Sequence, residues 1–199
     1  MPRPRVHDPD SVLDAAESLA ARSGAAAVTI RAVAAATGVS NGAIYHSFPS
    51  RADLLGRTWI RAAQRFLAVQ QELVRASADS GVEAVVAAAD APAVFARRFP
   101  ESSRLLLTVR RGDLLGDDLP EPIAAELEQL DRRLLDLLKQ LARDLWGRKD
   151  SRAVDVITTC LVDLPTAILL QRDRLASPTA REHLRAAVRA VLSVGPPPS

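Results

Sequence analysis

Residues 29–55, TIRAVAAATGVSNGAIYHSFPSRADLL, constrain this chain more than any other stretch. Thr29 is a good N-cap, because its hydroxyl oxygen accepts a hydrogen bond from a backbone N–H left free in a first helical turn. Ile30, Val33, Ala34 and Thr37 then recur at helical spacing, until Gly38 stops the run with a residue that tolerates positive φ. Ser40 caps again, and Ile44, Tyr45 and Phe48 anchor a second short helix. Pro49-Ser50-Arg51-Ala52-Asp53 reads as a capping box that opens a third. In such a box Ser50 accepts from an N–H ahead of it, while Asp53 reaches back and favours the positive helix end. Small Ala34 at a helix crossing, Gly38 in the turn and branched Ile44 locking the second helix meet the needs of a helix-turn-helix. Such a unit presents one helix to a DNA major groove.

Written out, T-I-R-x-V-A-x-x-x-G-V-S-x-G-x-I-Y-x-x-F-x-x-R-x-x-L-L follows an amphipathic helix that ends at Gly24. This pattern resembles the tetracycline-repressor (TetR) family of bacterial transcription factors. The matching residues are Thr29, Ile30, Arg31, Ala34, Gly38, Val39, Ser40, Gly42, Tyr45, His46, Phe48, Arg51, Leu54 and Leu55. The motif is dense but covers only the first quarter of the chain; beyond it the likeness is one of length and helical organisation. The resemblance implies that the second and third helices pack on the first, with the third in the major groove. It also implies a four-helix bundle made by the last two helices of each subunit, and repression as the default action.

Asn41, in the first turn of that third helix, carries the one bidentate amide able to read a base edge, with adenine its usual match. Gly42 and Ala43 are small enough to let the backbone approach, and Ala43 suits a thymine methyl. Thr29, Ser40, Tyr45, His46 and Arg51 offer donors suited to phosphates, which position a protein without reading sequence. Arg31 suits either a base or a phosphate. Each has a plainer reading: Thr29 and Ser40 as caps, Tyr45 as a packing residue, His46 as an ordinary surface histidine. Arg3 and Arg5 read as a disordered tail rather than an arm. Residues 1–57 hold six arginines and five acids, a balance of only +1, so the local charge gives nucleic-acid binding weak support.

A hydrophobic content of 48% with only 4% aromatic residues means a core of Ala, Leu and Val, which favours helices. Period-two alternation is absent, so the expected fold class is all-α, with about nine helices. The expected division is a helix-turn-helix domain at 1–50, joined through a helix at 51–76 to a ligand-binding and dimerisation domain at 51–194. A disordered tail, 195–199, closes the chain. Further helices are expected at 82–99, bent near Pro92 with Asp90 as a cap, and at 101–111, 121–146, 151–173 and 178–194. The acidic Gly/Leu stretch 112–120 is expected to be a mobile loop. No apolar run approaches the roughly 20 residues of a membrane span, and no apolar segment follows the first arginines, so a cytoplasmic protein is expected.

The helix at 151–173 is apolar on more than one face, which calls for partners on two sides. Val154, Ile157, Leu161, Leu164 and Ile168, with Leu184, Val188 and Val191 of the last helix, are the candidate homodimer interface. The large apolar residues best placed to line a small-molecule pocket are Trp59, Phe66, Phe95, Phe99, Leu106, Val109, Leu134, Leu138 and Trp146. Polar groups are few in these stripes: Gln70, Arg110 and Asp163 are exceptions, each more readily explained by exposure or a salt bridge. The expected effector is therefore mainly apolar.

Cys160 is the single cysteine, so no intrachain disulfide forms, and three scattered histidines give no metal-ligand spacing. A cofactor-free protein is expected. Gly-rich phosphate loops, G-x-S-x-G and Cys/His pairs are missing, and the carboxylate pairs Asp117-Asp118 and Glu126-Glu128 fit a solvated loop and a helix surface. An enzyme is not expected. The competing reading is a helical ligand-binding or protein-interaction module whose DNA-binding half has lost its affinity.

Overall fold

The structure, a computed structural model, describes residues 8–77, 80–108, 111–112 and 119–198. Arg3, Arg5, Val109, Arg110 and the Asp117-Asp118 pair lie outside these residues. The described residues are helical, with no strand among them. Helix α1 (Pro9–Ser23) begins where the Asp8 carboxylate accepts from the Asp10 N–H at 3.0 Å. It ends at Gly24, whose φ of 79° suits glycine. A 3₁₀ turn (Ala25–Ala27) leads to α2 (Ile30–Thr37) and α3 (Asn41–Ser47). Helix α4 (Arg51–Ala76) follows with no proline inside it.

Helices α5 (Gly81–Ala89), α6 (Ala91–Arg98) and α7 (Pro100–Thr108) are short and punctuated. Asp90 sits at the break between α5 and α6 as expected, but its side chain caps neither helix. Its carboxylate instead accepts from Arg181 Nε at 2.8 Å and Arg185 Nη2 at 2.7 Å. Burial pushes the Asp90 pKa up, yet the hydrogen bonds from the two arginines outweigh it and hold the carboxyl below its ordinary value.

Helix α8 (Glu121–Trp146) ends at Gly147 in the left-handed region, and α9 (Ser151–Thr158) starts under the Asp150 cap. Its continuation differs from the single helix expected. Thr159–Asp163 and Thr166–Leu170 are π-helical, on either side of Pro165. Proline has no N–H to donate and its ring crowds the carbonyl four residues back, so the chain widens to five-residue bonds such as Gln171 N–H to the Thr166 carbonyl. Helix α10 (Pro178–Val194), capped by Ser177, closes the fold. The last prolines, expected as a loose tail, are tied to the start of α9 and the turn before it: Arg148 Nη1 donates to the Pro197 carbonyl at 3.1 Å.

Two large apolar clusters form, and α4 belongs to both. The first joins Val12, Val33, Ile44, Phe48 and Leu54 of the N-terminal helices to Leu105, Ile123 and Leu127 from α7 and α8. The second joins Leu67 of α4 to α5, α8, α9 and α10. Ile157 and Leu161, with Leu184 and Val188, are buried inside this second cluster. These four residues, expected at the interface between subunits, are core residues of the protomer, because α9 packs on α8 while the π-helical turns that continue it pack on α5 and α10. Cys160 is buried there too, and burial pushes its thiol up to about 12, which keeps it out of thiolate chemistry.

By length and composition alone, Ser151–Leu170 is apolar enough to cross a membrane, contrary to the expectation from uninterrupted runs. Its inner face nonetheless carries Ala153, Ile157, Cys160, Leu161 and Leu169 into the protein core.

Gly56 shows how closely α4 and α8 approach. A Cβ added to it would lie 2.4 Å from Ile123 Cγ2. Gly56→Ala is expected to destabilise the fold by about 1–3 kcal/mol through overpacking, although alanine favours helices by about 1 kcal/mol. A urea-unfolding midpoint no lower than that of the parent protein would contradict this.

Candidate nucleic-acid interface

The local hydrogen bonds explain why residues 29–55 fold into two helices and the start of a third. Thr29 Oγ1 accepts from the Ala32 N–H at 3.0 Å, and Ser40 Oγ accepts from the Ala43 N–H at 3.2 Å. Gly38 takes φ 73° and ψ 6°, and its N–H closes α2 on the Ala34 carbonyl at 2.8 Å. Thr37 adds a clasp, donating to the Val33 carbonyl and accepting from the Val39 N–H. Val33, Val39, Ile44 and Phe48 are buried beneath, and each such side chain stabilises the unit by about 1.5–3 kcal/mol. Half of the expected capping box forms: Ser50 Oγ accepts from the Asp53 N–H at 3.0 Å. The Asp53 carboxylate turns instead to Arg57, whose Nε lies 3.0 Å away.

With Ile44 turned inward, the other face of α3 is open. Asn41, Gly42, Tyr45 and His46 are exposed, and Tyr45 at 52% is among the few large side chains left uncovered. No atom lies within 4 Å of where a Gly42 Cβ would stand. Thr29, Arg31 and Ser40 are exposed on the same unit, and Ala43 is half-buried. Arg51, expected to offer a donor to phosphate, is exposed and is also engaged by the backbone. Its Nε donates to the Val28 carbonyl at 2.7 Å and its Nη2 to the Ala25 carbonyl at 2.6 Å. A cation in the first turn of α4 opposes the helix dipole, and these two carbonyls offset that cost while tying α4 to the turn before α2.

Sequence patterning did not reveal one cluster. Glu17 on α1 is only 3% exposed, yet its carboxylate is matched by Arg61 Nη2 at 2.8 Å, Arg65 Nη1 at 3.1 Å and the Ser102 hydroxyl. Arg61 also pairs with Asp10 and Asp14. The signal lies in arginines at four-residue spacing on α4, but their partner on α1 is more than forty residues away.

The expected pocket residues separate into two groups. Trp59, Phe66, Leu106 and Leu134 line a cavity of about 210 Å³ between α4, α7 and α8, together with Ala63, Leu67, Gln70, Leu107, Leu130 and Asp131. Phe95 is fully buried behind it, edge-on to Phe66 with ring centroids 5.3 Å apart, and Phe99 packs on Phe95 in turn. Leu138 belongs to the second apolar cluster, and Trp146 packs against that cluster from the far end of α8. Phe95, Phe99, Leu138 and Trp146 are therefore not wall residues. Gln70, expected to be exposed or paired, is 2% exposed and faces the cavity wall. A larger cleft of about 370 Å³ has a mixed lining, with Gln71, Arg75, Arg133 and Asp136 beside Val74 and Leu137.

Residues 12–58 match the family described as bacterial regulatory proteins, tetR family. No curated protein matches the chain. Among solved structures, it is similar to a TetR-family transcriptional regulator from Streptomyces coelicolor, at 21% identity over 94% of this chain and 98% of that one, with a TM-score of 0.64. It is also similar to a transcriptional regulator from Rhodococcus sp. Rha1, at 21% identity over 94% and 95% and a TM-score of 0.66. The fatty acid degradation regulator FadR from Bacillus halodurans aligns at 16% identity over 93% and 98%, with a TM-score of 0.65. At these identities the shared feature is the fold.

Arg51→Ala is expected to lower stability by about 1.5–3 kcal/mol, the range for hydrogen bonds that involve a charged group. It should leave the salt dependence of DNA binding unchanged, because removing a cation that neutralises a phosphate would reduce the log–log slope by about 0.9. A slope reduced by that amount would return Arg51 to the phosphates. Residues 12–58 thus match the tetR family of bacterial regulatory proteins, and nearly the whole length of the chain shares the fold of the similar solved regulators.

Proposed function

We propose that this protein is a ligand-responsive transcriptional regulator. It represses by binding a palindromic operator as a homodimer, and a small, mainly apolar effector releases it. The observation that carries this reading is α3: an uncrowded first turn at Asn41 and Gly42, with Tyr45 and His46 exposed beside it, mounted on buried Ile44. In this reading Asn41 reads an adenine edge, while Gly42 and Ala43 let the backbone approach. Thr29, Ser40, Tyr45 and His46 hold phosphates, and Arg31 serves a base or a phosphate.

Pairing of two copies is supported by the outer side of the α9 region. Only 33% of its most apolar window is buried within the protomer, and Val162, 41% exposed, stands on that side. Val154, Leu164 and Ile168, with Val191 of α10, are partly covered and complete the face offered to a second copy. One reading helix spans few base pairs, so two half-sites supply useful affinity.

The effector site is the 210 Å³ cavity, and α4 is the route from it to the DNA unit. The same helix carries Trp59 to Gln70 on the cavity wall and the Ser50 cap at the end of the helix-turn-helix. Helix α7 gives a second route, since Leu106 lines the cavity while Ser102 holds Glu17 of α1. Filling the cavity shifts α4 and α7 together and changes the spacing of two α3 helices, a coupling of about 1–3 kcal/mol.

Selection of bound sequences from a random DNA pool tests the reading directly: two inverted half-sites about one helical turn apart are expected. Asn41→Ala should then relax preference at one position per half-site by about 1–3 kcal/mol. An unchanged sequence profile would remove Asn41 as a reader, and no binding even at low salt would favour a module without DNA affinity. Val162→Asp, at an exposed position, should convert a dimer into a folded 21.4 kDa monomer in sedimentation at micromolar concentration. If the parent protein already sediments as that monomer, the pairing claim fails.

A further inference from the structure

The cavity wall on α4 is apolar in its middle and polar at its two ends. Trp59, Ala63, Phe66, Leu67 and Gln70 fall on one helical face, at i, i+4, i+7, i+8 and i+11. The Trp59 Nε1 donor and the Gln70 Oε1 acceptor are both shut off from solvent, and neither has a hydrogen-bond partner among the described residues. Gln70 is 2% exposed, so bulk water does not satisfy its carbonyl. Buried polar groups are nearly always paired, and two unpaired ones on the wall of a single cavity point to a missing partner.

The spacing gives that partner a size. Eleven residues of α-helix separate Trp59 from Gln70, a rise of about 16 Å. Side chains lean the same way along a helix, so the separation carries over to their polar ends. Two hydrogen bonds of about 3 Å each leave about 10 Å for the molecule between them.

Charge is argued against by the remaining wall. Asp131 is the only charged residue among the described lining residues, and Arg111 pairs with it at the solvent edge, with Nη1 3.1 Å from the carboxylate. The same guanidinium lies 5.3 Å over the Trp59 ring. Among the described residues a carboxylate ligand finds no unpaired cation on this wall, and an ammonium ligand meets a carboxylate that Arg111 already pairs.

We propose that the cavity takes an uncharged, elongated molecule with an apolar body and a polar group at each end. A hydroxyl or amide donates to Gln70, and an oxygen accepts from Trp59. This rests on the reading of the cavity as the effector site.

The test uses the full-length protein and titration calorimetry, with α,ω-octanediol, n-octanol, heptyl methyl ether and the dicarboxylate suberate as probes. The diol should bind most tightly. Gln70→Leu and Trp59→Phe, which keep the bulk of each side chain, should each weaken the diol about tenfold, the scale of one hydrogen bond. Suberate should bind at least tenfold more weakly than the diol. Gln70→Leu should also raise the melting temperature of the free protein, because it removes a buried carbonyl without a partner. The comparison among probes on the parent protein needs no substitution. If diol, alcohol and ether bind alike, or suberate binds as tightly as the diol, the polar pattern assigned to the ligand is wrong while the cavity remains a ligand site. If none of the probes binds, the effector site itself is refuted.

Discussion

The buried Glu17 carboxylate is the point at which the helix-turn-helix unit and the body of the protein become one structure. It lies on α1, and its partners come from α4 and α7: Arg61, Arg65 and the Ser102 hydroxyl. Ser18, the next residue on α1, donates to Glu101 of α7 at 2.8 Å. A buried charge is tolerated only when its partners are in place, and removing one partner of such a pair typically costs about 3–5 kcal/mol. The orientation of α1, and with it of α2 and α3, is therefore tied to where α4 and α7 stand. Those are also the helices that wall the cavity. Any change in their separation is felt first at a site with little freedom to accommodate it.

The same cluster accounts for the weak charge of the N-terminal segment. Counted along the chain, residues 1–57 are nearly neutral, which argues against a strong electrostatic hold on DNA. Counted in space, Asp10, Asp14 and Glu17 are met by Arg61, and Asp53 by Arg57. These acids sit on the α4 side of the unit. Arg31 and His46, exposed and outside any ion pair among the described residues, are left near α3. Short-range pairing removes the acids from the field that a phosphate backbone meets, since a screened ion pair has little reach beyond about 8–10 Å. A window of sequence misses this because two of the neutralising arginines, Arg61 and Arg65, lie just beyond it.

Legibility in the sequence followed the range of the interactions. Caps and glycine stops act within four residues, so α1 to α4 and the end of α8 could be read from Thr29, Ser40, Ser50, Gly24, Gly38 and Gly147. Apolar spacing also identified inner faces, as with Ile44 and the leucines of α8. What it did not reveal was the identity of the covering element. Ile157 and Val188 read as an apolar face in need of a partner, and the partner is another part of the same chain. Arg51 read as a donor suited to phosphates beside α3, and its guanidinium also donates to two backbone carbonyls. Asp90 read as a cap, and two arginines about ninety residues away take its carboxylate. In each case the short-range pattern was sound and a long-range interaction decided the role.

Gln70 is the sharpest instance, and it bears on how the cavity works. A glutamine on an amphipathic helix reads as solvent-facing, and most are. Here the side chain is buried beside Leu67 and Leu134 with its carbonyl unpaired, a state that lowers the stability of the free protein. Trp59 adds a second unpaired donor on the same helix. Stability forgone in the empty state becomes differential affinity once a ligand satisfies those groups, because the gain exists only in the filled state. If filling also requires α4 and α7 to separate, the hydrogen bonds made at Trp59 and Gln70 offset the strain placed on the Glu17 cluster. A purely apolar molecule of the same size has only its burial to set against that strain. The polar ends of the cavity would thus favour molecules that move the helices over those that merely fit between them.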